Sequence, residues 1–141
     1  MSEAPDRSMM AAVGRLARFM ITRDEADLFD VFASTGVVIV ENFAPYVFHG
    51  PSAVRDWAKG FRAHAANLTE LKPSFGAPQD FSENGECIYF SLPTHWTGFS
   101  HGRRFAEDGG WSFVLVRDGE AWRVQSYGWA VTSYTADGQE Y

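Results

Sequence analysis

The first apolar positions to repeat along the chain are Met9, Val13, Leu16 and Met20, with Met10, Ala17 and Ile21 beside them. A period near 3.6 places them on one side of a helix that begins at Ser8, after a polar stretch, residues 1–7, expected to fray. Thr22-Arg23-Asp24-Glu25 has the form of a capping box, with Thr22 at the N-cap and Glu25 three residues later. A second helix is therefore expected, with Leu28, Phe29 and Phe32 on its apolar face and Gly36 after it. The β-branched run 37–40 is too short for a helix and reads as a buried strand, ended by Glu41, Asn42 and Phe43. Pro45 cannot donate to a ladder and biases Ala44 towards extended geometry, so the chain turns there before an extended path over 46–48. Gly50 as N-cap and Pro51 at the first helical position open a third helix. Val54, Trp57, Ala58, Phe61 and Ala65 form its apolar face, and Arg55, Asp56, Lys59 and Arg62 the opposite one.

Beyond that helix the period changes to two. Pro73 and Pro78 make 71–81 an irregular edge strand, since proline is tolerated mainly at edges and bulges. Asn84-Gly85 is a hairpin signal, 87–99 a long strand interrupted at Pro93, and His101-Gly102 a second turn. Residues 103–117 alternate, with Phe105, Glu107, Gly109, Trp111, Phe113 and Leu115 on one face and Arg104, Ala106, Asp108, Gly110, Ser112, Val114 and Val116 on the other. Asp118-Gly119 turns the chain into a last strand over 122–134. Three helices followed by an antiparallel meander is the order of an α+β domain, helices packed on one face of a curved sheet around an internal pocket. The small face around Asp108 and Ser112 leaves empty volume if it looks at the helices. The face of Trp111, Phe113 and Leu115 would then be an exposed apolar patch, so a homodimer through that face is expected.

At 141 residues, 45% of them hydrophobic and 16% aromatic, the chain is expected to form one domain with a sizeable core. A net charge of −6 and a pI near 5.1 argue against a nucleic-acid or anionic-membrane surface, and Arg103-Arg104 is the only basic pair. The single Cys87 cannot form an intramolecular disulfide, no basic stretch precedes an apolar leader, and no apolar run reaches membrane-spanning length. The expectation is a cytoplasmic protein. His49, His64 and His101 show no ligand spacing with one another or with Cys87, so no metal is expected. No phosphate-binding or dinucleotide fingerprint occurs, which implies no cofactor.

The stretch 37–57 resembles the hallmark of the nuclear transport factor two-like superfamily, the cystatin-like α+β cone, and in particular its SnoaL-like bacterial members. The residues that carry the likeness are Val37 to Val40, Glu41-Asn42-Phe43, Pro45-Tyr46, Gly50-Pro51 and Trp57. The resemblance implies a cone with a pocket open at one end, on a fold that serves isomerases, dehydratases, cyclases, hydrolases and plain binding modules. In the ketosteroid isomerase branch a strand-end carboxylate is the base, and a tyrosine with a protonated acid forms the oxyanion hole. Laid on that pattern, Asn42 or the adjacent Glu41 takes the base position, Phe19 falls near the tyrosine and Ser112 near the acid. Phe19 cannot donate a hydrogen bond, and a serine is a weaker donor than an acid in a dry site. Trp129 matches the position of a pocket aromatic in related isomerases.

Glu41 is the sharpest candidate. Turned inward against Trp57 or Trp129, it would be desolvated and its pKa raised; turned outward, it is an ordinary strand-end carboxylate. Asp108 is a pocket wall or a solvent-exposed turn neighbour, depending on register. His95 on an unbroken register faces away with Tyr89 and Ser91, whereas Trp96 shares a face with Ile88, Phe90, Leu92 and Thr94. Trp96 and Trp129 fit a flat apolar ligand or a plain core. The reading is a protein that binds a small apolar or aromatic metabolite. In its enzymatic version Glu41 or Asp108 moves a proton in isomerase, cyclase or dehydratase chemistry, Asn42 and Ser112 orient a carbonyl, and Trp57 and Trp129 wall the ligand. The alternative is a non-catalytic ligand-binding or dimeric assembly module.

Overall fold

In the computed structural model, which describes residues 4–137 and 139–140, helix α1 spans Arg7–Thr22 and is capped by Asp6, whose carboxylate accepts the Met9 N–H at 3.0 Å. The helix begins one residue before the expected start. Asp6 and Arg7 thus belong to ordered structure, while residues 1–3 lie outside the described residues. Arg23 ends α1 in the left-handed region, with φ of 62°. Its guanidinium reaches the carbonyls of Met20, Ala65 and Leu68 at 2.7–3.3 Å, which ties the helix end to the chain beyond the next helix.

That anchoring of Arg23 leaves Thr22 no role as an N-cap. Asp24 caps a single 3-10 turn, Glu25–Leu28, in place of the expected second α-helix, and Phe29 points to solvent while Phe32 is buried. Helix α2, Ala53–His64, buries Ala53, Trp57, Ala58 and Phe61, the face its spacing predicts. Its N-cap is Ser52 rather than Gly50, and the Ser52 hydroxyl donates to Asp56 at 2.8 Å.

Strands β1 (Val38–Val40), β2 (Val47–His49), β3 (Leu68–Phe75), β4 (Gln79–Asn84), β5 (Cys87–Ser100), β6 (Arg103–Asp118), β7 (Ala121–Ala136) and β8 (Gln139–Glu140) form one sheet. Its order is β2-β1-β7-β6-β5-β3, with β4 also on β5 and β8 on β7. The pairing is antiparallel except for β1 with β7, so the sheet is mixed rather than a pure meander. The expected edge strand over 71–81 is two strands, both paired to β5 and separated around Gly76, whose N–H donates to the Pro93 carbonyl. Pro93 does not interrupt β5: even-numbered residues from Ile88 to Gly98 are buried without a change of phase.

The helices and the sheet enclose one core, and the sheet contributes the face opposite to the one expected. The β5–β6 register sets Leu92 against Trp111 and Trp96 against Glu107. Because cross-strand partners share a face, Phe105, Glu107, Trp111, Phe113 and Leu115 look inward with Trp96. Trp111 is 1% exposed and Phe113 and Leu115 are fully buried within the protomer. The expectation that this face meets a second subunit is therefore corrected. Asp108 and Ser112 lie on the outer, convex face.

Two bulges keep β7 in phase with that core. Between Val114 and Leu115 the partner jumps from Ser126 to Val124, and between Asp108 and Gly109 it jumps from Ser133 to Val131. An extra residue reverses the alternation, so Trp122 and Val124, then Tyr127 and Trp129, then Tyr134 all return to the inner face. Gly109 makes room for the Trp129 ring: a Cβ there would sit 2.5 Å from the indole and 2.6 Å from the Ala130 carbonyl oxygen. The carbonyl cannot step aside as a flexible side chain can. Gly109→Ala is expected to destabilise the fold by about 2–3 kcal/mol and to shift the fluorescence of Trp129. A change under about 0.5 kcal/mol in urea unfolding would show that the strands part without cost.

Candidate active site

A cavity of about 280 Å³ opens between α1, α2 and the inner face of the sheet. Alternation along the first strand explains its central polar group. Val37 and Ile39 are buried, Val38 and Val40 are not, and the next inward position is Glu41, which is 7% exposed. Glu41 Oε2 accepts from the Trp57 indole N–H at 3.0 Å and also from the Tyr127 hydroxyl. Burial pushes the Glu41 carboxyl above its ordinary value; the donors Tyr127 and Trp57 and the Asn42 N–H oppose that rise. The Tyr127 hydroxyl is itself held well above its ordinary value by burial and by the adjacent Glu41 charge, so it remains a donor.

The second acid is Glu107 on β6. Trp96 lies directly across from it on β5 and Tyr134 directly across on β7, and all three line the cavity. Burial, and then the negative charge of Glu41, push the Glu107 carboxyl up to about 7. His64, the last residue of α2, stacks on Phe43 with ring centroids 4.6 Å apart, and desolvation lowers its pKa. Above its ordinary titration range the imidazole is neutral. The indole N–H of Trp111 is buried with no hydrogen-bond partner, in a residue that also lines the cavity.

Of the residues singled out from sequence, the cavity gathers Glu41, Asn42, Trp96 and Trp129. Trp57 supports Glu41 from behind, and Phe19 is core, fully buried at 5.4 Å from the Trp57 ring. Asp108 is elsewhere. It lies on the convex face with its side chain 50% exposed, accepts from Ser133 at 3.0 Å and pairs with His95 Nδ1 at 2.7 Å. Its hydrogen bonds to His95 and Ser133 lower its pKa, the reverse of what a near-neutral base requires. Ser112 lines a shallow outer groove with Tyr89 and Gly128. His95 faces outward, as the unbroken register predicts.

Glu107, Tyr127 and His64 escaped the sequence reading. Glu107 carried a signal: it is the one acid on the alternating face of Phe105, Trp111 and Phe113, a charge where the pattern expects an apolar residue. Tyr127 stands two residues before Trp129, on the same face once the bulges are known. Among the described residues no group of three His, Cys, Asp or Glu is placed to hold a metal ion.

No protein-family model matches the chain, and no curated protein matches it in sequence. Solved structures match it closely in shape. LinA-type3, a hexachlorocyclohexane dehydrochlorinase from Novosphingobium barchaimii LL02, superposes with a TM-score of 0.77 at 8% identity, over 95% of this chain and 91% of that one. A putative aromatic ring hydroxylase from Novosphingobium aromaticivorans gives 0.69 at 15% identity, over 95% and 96% of the two chains. A nuclear transport factor 2-like superfamily protein from Salmonella enterica serovar Typhimurium gives 0.70 at 13%, over 92% of each. With its helices, its curved mixed sheet and the pocket between them, the chain has the nuclear transport factor 2-like fold.

Proposed function

We propose that the cavity is the active site of a small-molecule proton-transfer enzyme of the isomerase or dehydratase type, with Glu41 and Glu107 as its acid and base. The observation that carries this reading is the pair of desolvated carboxylates in one aromatic pocket, one of them poised at about 7. A general base works best when its pKa lies near the working pH, and two coupled acids provide one protonated and one ionised partner. Trp57 and Tyr127 fix the orientation of Glu41, while Glu107 is the group that gains and loses a proton near neutrality. A neighbour in shape is named as a dehydrochlorinase, and elimination is a reaction class that also consumes a base.

The test is a ¹³C-detected NMR titration of the glutamate carboxyls, with Glu107→Gln to assign the resonance. One carboxyl should titrate near 7. If every glutamate titrates in the ordinary carboxylate range, proton transfer is abandoned and a non-catalytic ligand-binding module takes its place.

A further inference from the structure

We propose that the ligand of this cavity is an organic ammonium cation with an apolar or aromatic body, held with Glu107 as its counter-ion inside an aromatic cage. The inference rests on the cavity being a small-molecule site, and it adds the ligand's charge.

The cage is a consequence of strand register. Trp96 and Tyr134 flank Glu107 from the two neighbouring strands, and Phe105 precedes it on the same inner face. On its other side Gly109 has no side chain, and the Trp129 ring occupies that space. Trp111 completes the wall, 6.4 Å from Trp96 and 6.2 Å from Trp129 between ring centroids. Aromatic faces attract a cation through their quadrupole, most strongly when water is excluded, and quaternary ammonium groups are recognised by such cages. A neutral aromatic ligand would fill the same walls but would leave the ionised member of the carboxyl pair without a counter-charge.

The electrostatics of the lining point the same way. Its titratable residues are Glu41 from the end of the first strand, Glu107 from β6, Tyr134 from β7 and His64 from α2; no arginine or lysine is among them. Arg23 and Arg62 pack on Phe61 and Phe19 but do not line the cavity, and backbone carbonyls hold their guanidiniums. The α1 and β3 lining residues, Met20, Leu68 and Leu71, carry no charge. Among the described lining residues, therefore, no cation balances whichever of the two carboxyls is ionised. A bound ammonium would supply that balance and relieve the repulsion between the two acids.

The experiment is calorimetric titration of the full chain with phenyltrimethylammonium and with its uncharged isostere tert-butylbenzene, at pH 6.0 and 8.5 and constant ionic strength. At pH 8.5 the cation should bind at least about tenfold tighter than the isostere. The preference should fall to about threefold or less at pH 6.0, or in Glu107→Gln at pH 8.5, with the isostere's affinity unchanged. No preference at pH 8.5, or a preference that survives both the lower pH and Glu107→Gln, overturns the proposal. Should Glu107→Gln fail to fold, the presence or absence of a cation preference at pH 8.5 on the unaltered chain decides. A preference that Glu107→Gln removes but that is flat between the two pH values would keep the cation site and sink the proton-transfer reading. A carboxyl titrating near 7 with no cation preference would do the reverse.

Discussion

Trp57→Ala is expected to destabilise the protein by about 4 kcal/mol, the largest effect of any single truncation in the core. The residue is fully buried at the point where α2 meets the sheet. Its ring lies 5.4 Å from Phe19, 5.7 Å from Phe32, 5.8 Å from Phe61 and 6.0 Å from Tyr127, so truncation opens a cavity bordered by rings from four separate segments. Such a site collapses poorly, because each neighbour is held by its own element. The substitution also removes a donor from the buried Glu41 carboxylate. Trp57→Phe separates the two losses: it keeps a ring and deletes the N–H, and about 1–2 kcal/mol is expected. In that variant the Glu41 carboxyl should move further up, since one of the donors that favours its ionised form is gone. Urea unfolding followed by circular dichroism measures both; a loss under about 1 kcal/mol for the alanine variant would mean that Trp57 is not the keystone of this packing.

Trp57 is legible in the sequence and the role of Glu107 is not, because the chain exposes only some of its information locally. Trp57, Ala58 and Phe61 recur at helical spacing, and a helix carries its own period wherever it packs. The inward turn of Glu41 was also accessible, because strict alternation from Val37 ends on it. The face of β6 was not. Both of its faces are plausible interiors by composition, one large and aromatic, the other small and holding Asp108 and Ser112. The choice is made by the pairing of Trp111 with Leu92, a contact between residues nineteen positions apart in sequence that no local pattern encodes. With that face inward, Glu107 lies in the pocket and Asp108 outside it, and Trp111 is core rather than a dimer surface. The missing helix has a different cause. Thr22 to Glu25 satisfies the local rule for a helix start, but the tertiary bonds of Arg23 to Ala65 and Leu68 place the chain in the left-handed region one residue after it. The pairing of β6 with β5 thus decides that Glu107 joins the site, which makes its energetic signature the most direct check on the site.

That signature is a stability that falls as pH rises. A carboxyl whose folded pKa is raised from its ordinary 4.5 to about 7 binds its proton more tightly in the folded chain. Its contribution is fully present below 4.5 and is lost as pH climbs through 7. The linked free energy is at most about 3 kcal/mol, and partial solvent access at the cavity mouth lowers it to about 2. Other groups act in the same pH range. Glu41, also raised, has the same sign; His64, lowered, has the opposite one and favours the fold as pH rises past its own titration. Asp6, Asp108 and Asp118 are lowered and lose their contributions only as pH falls below the ordinary aspartate range, outside this window. Comparing the unaltered chain with Glu107→Gln cancels His64 and the aspartates and leaves Glu107 together with its coupling to Glu41. The glutamine variant should gain about 2 kcal/mol over the unaltered chain between pH 5 and pH 8.5, read from urea midpoints at each pH. Parallel curves would place Glu107 in water. A difference that grows with pH would mean that the fold holds an acid whose ionised form it disfavours, a standing destabilisation for which ligand chemistry, and not packing, supplies the reason.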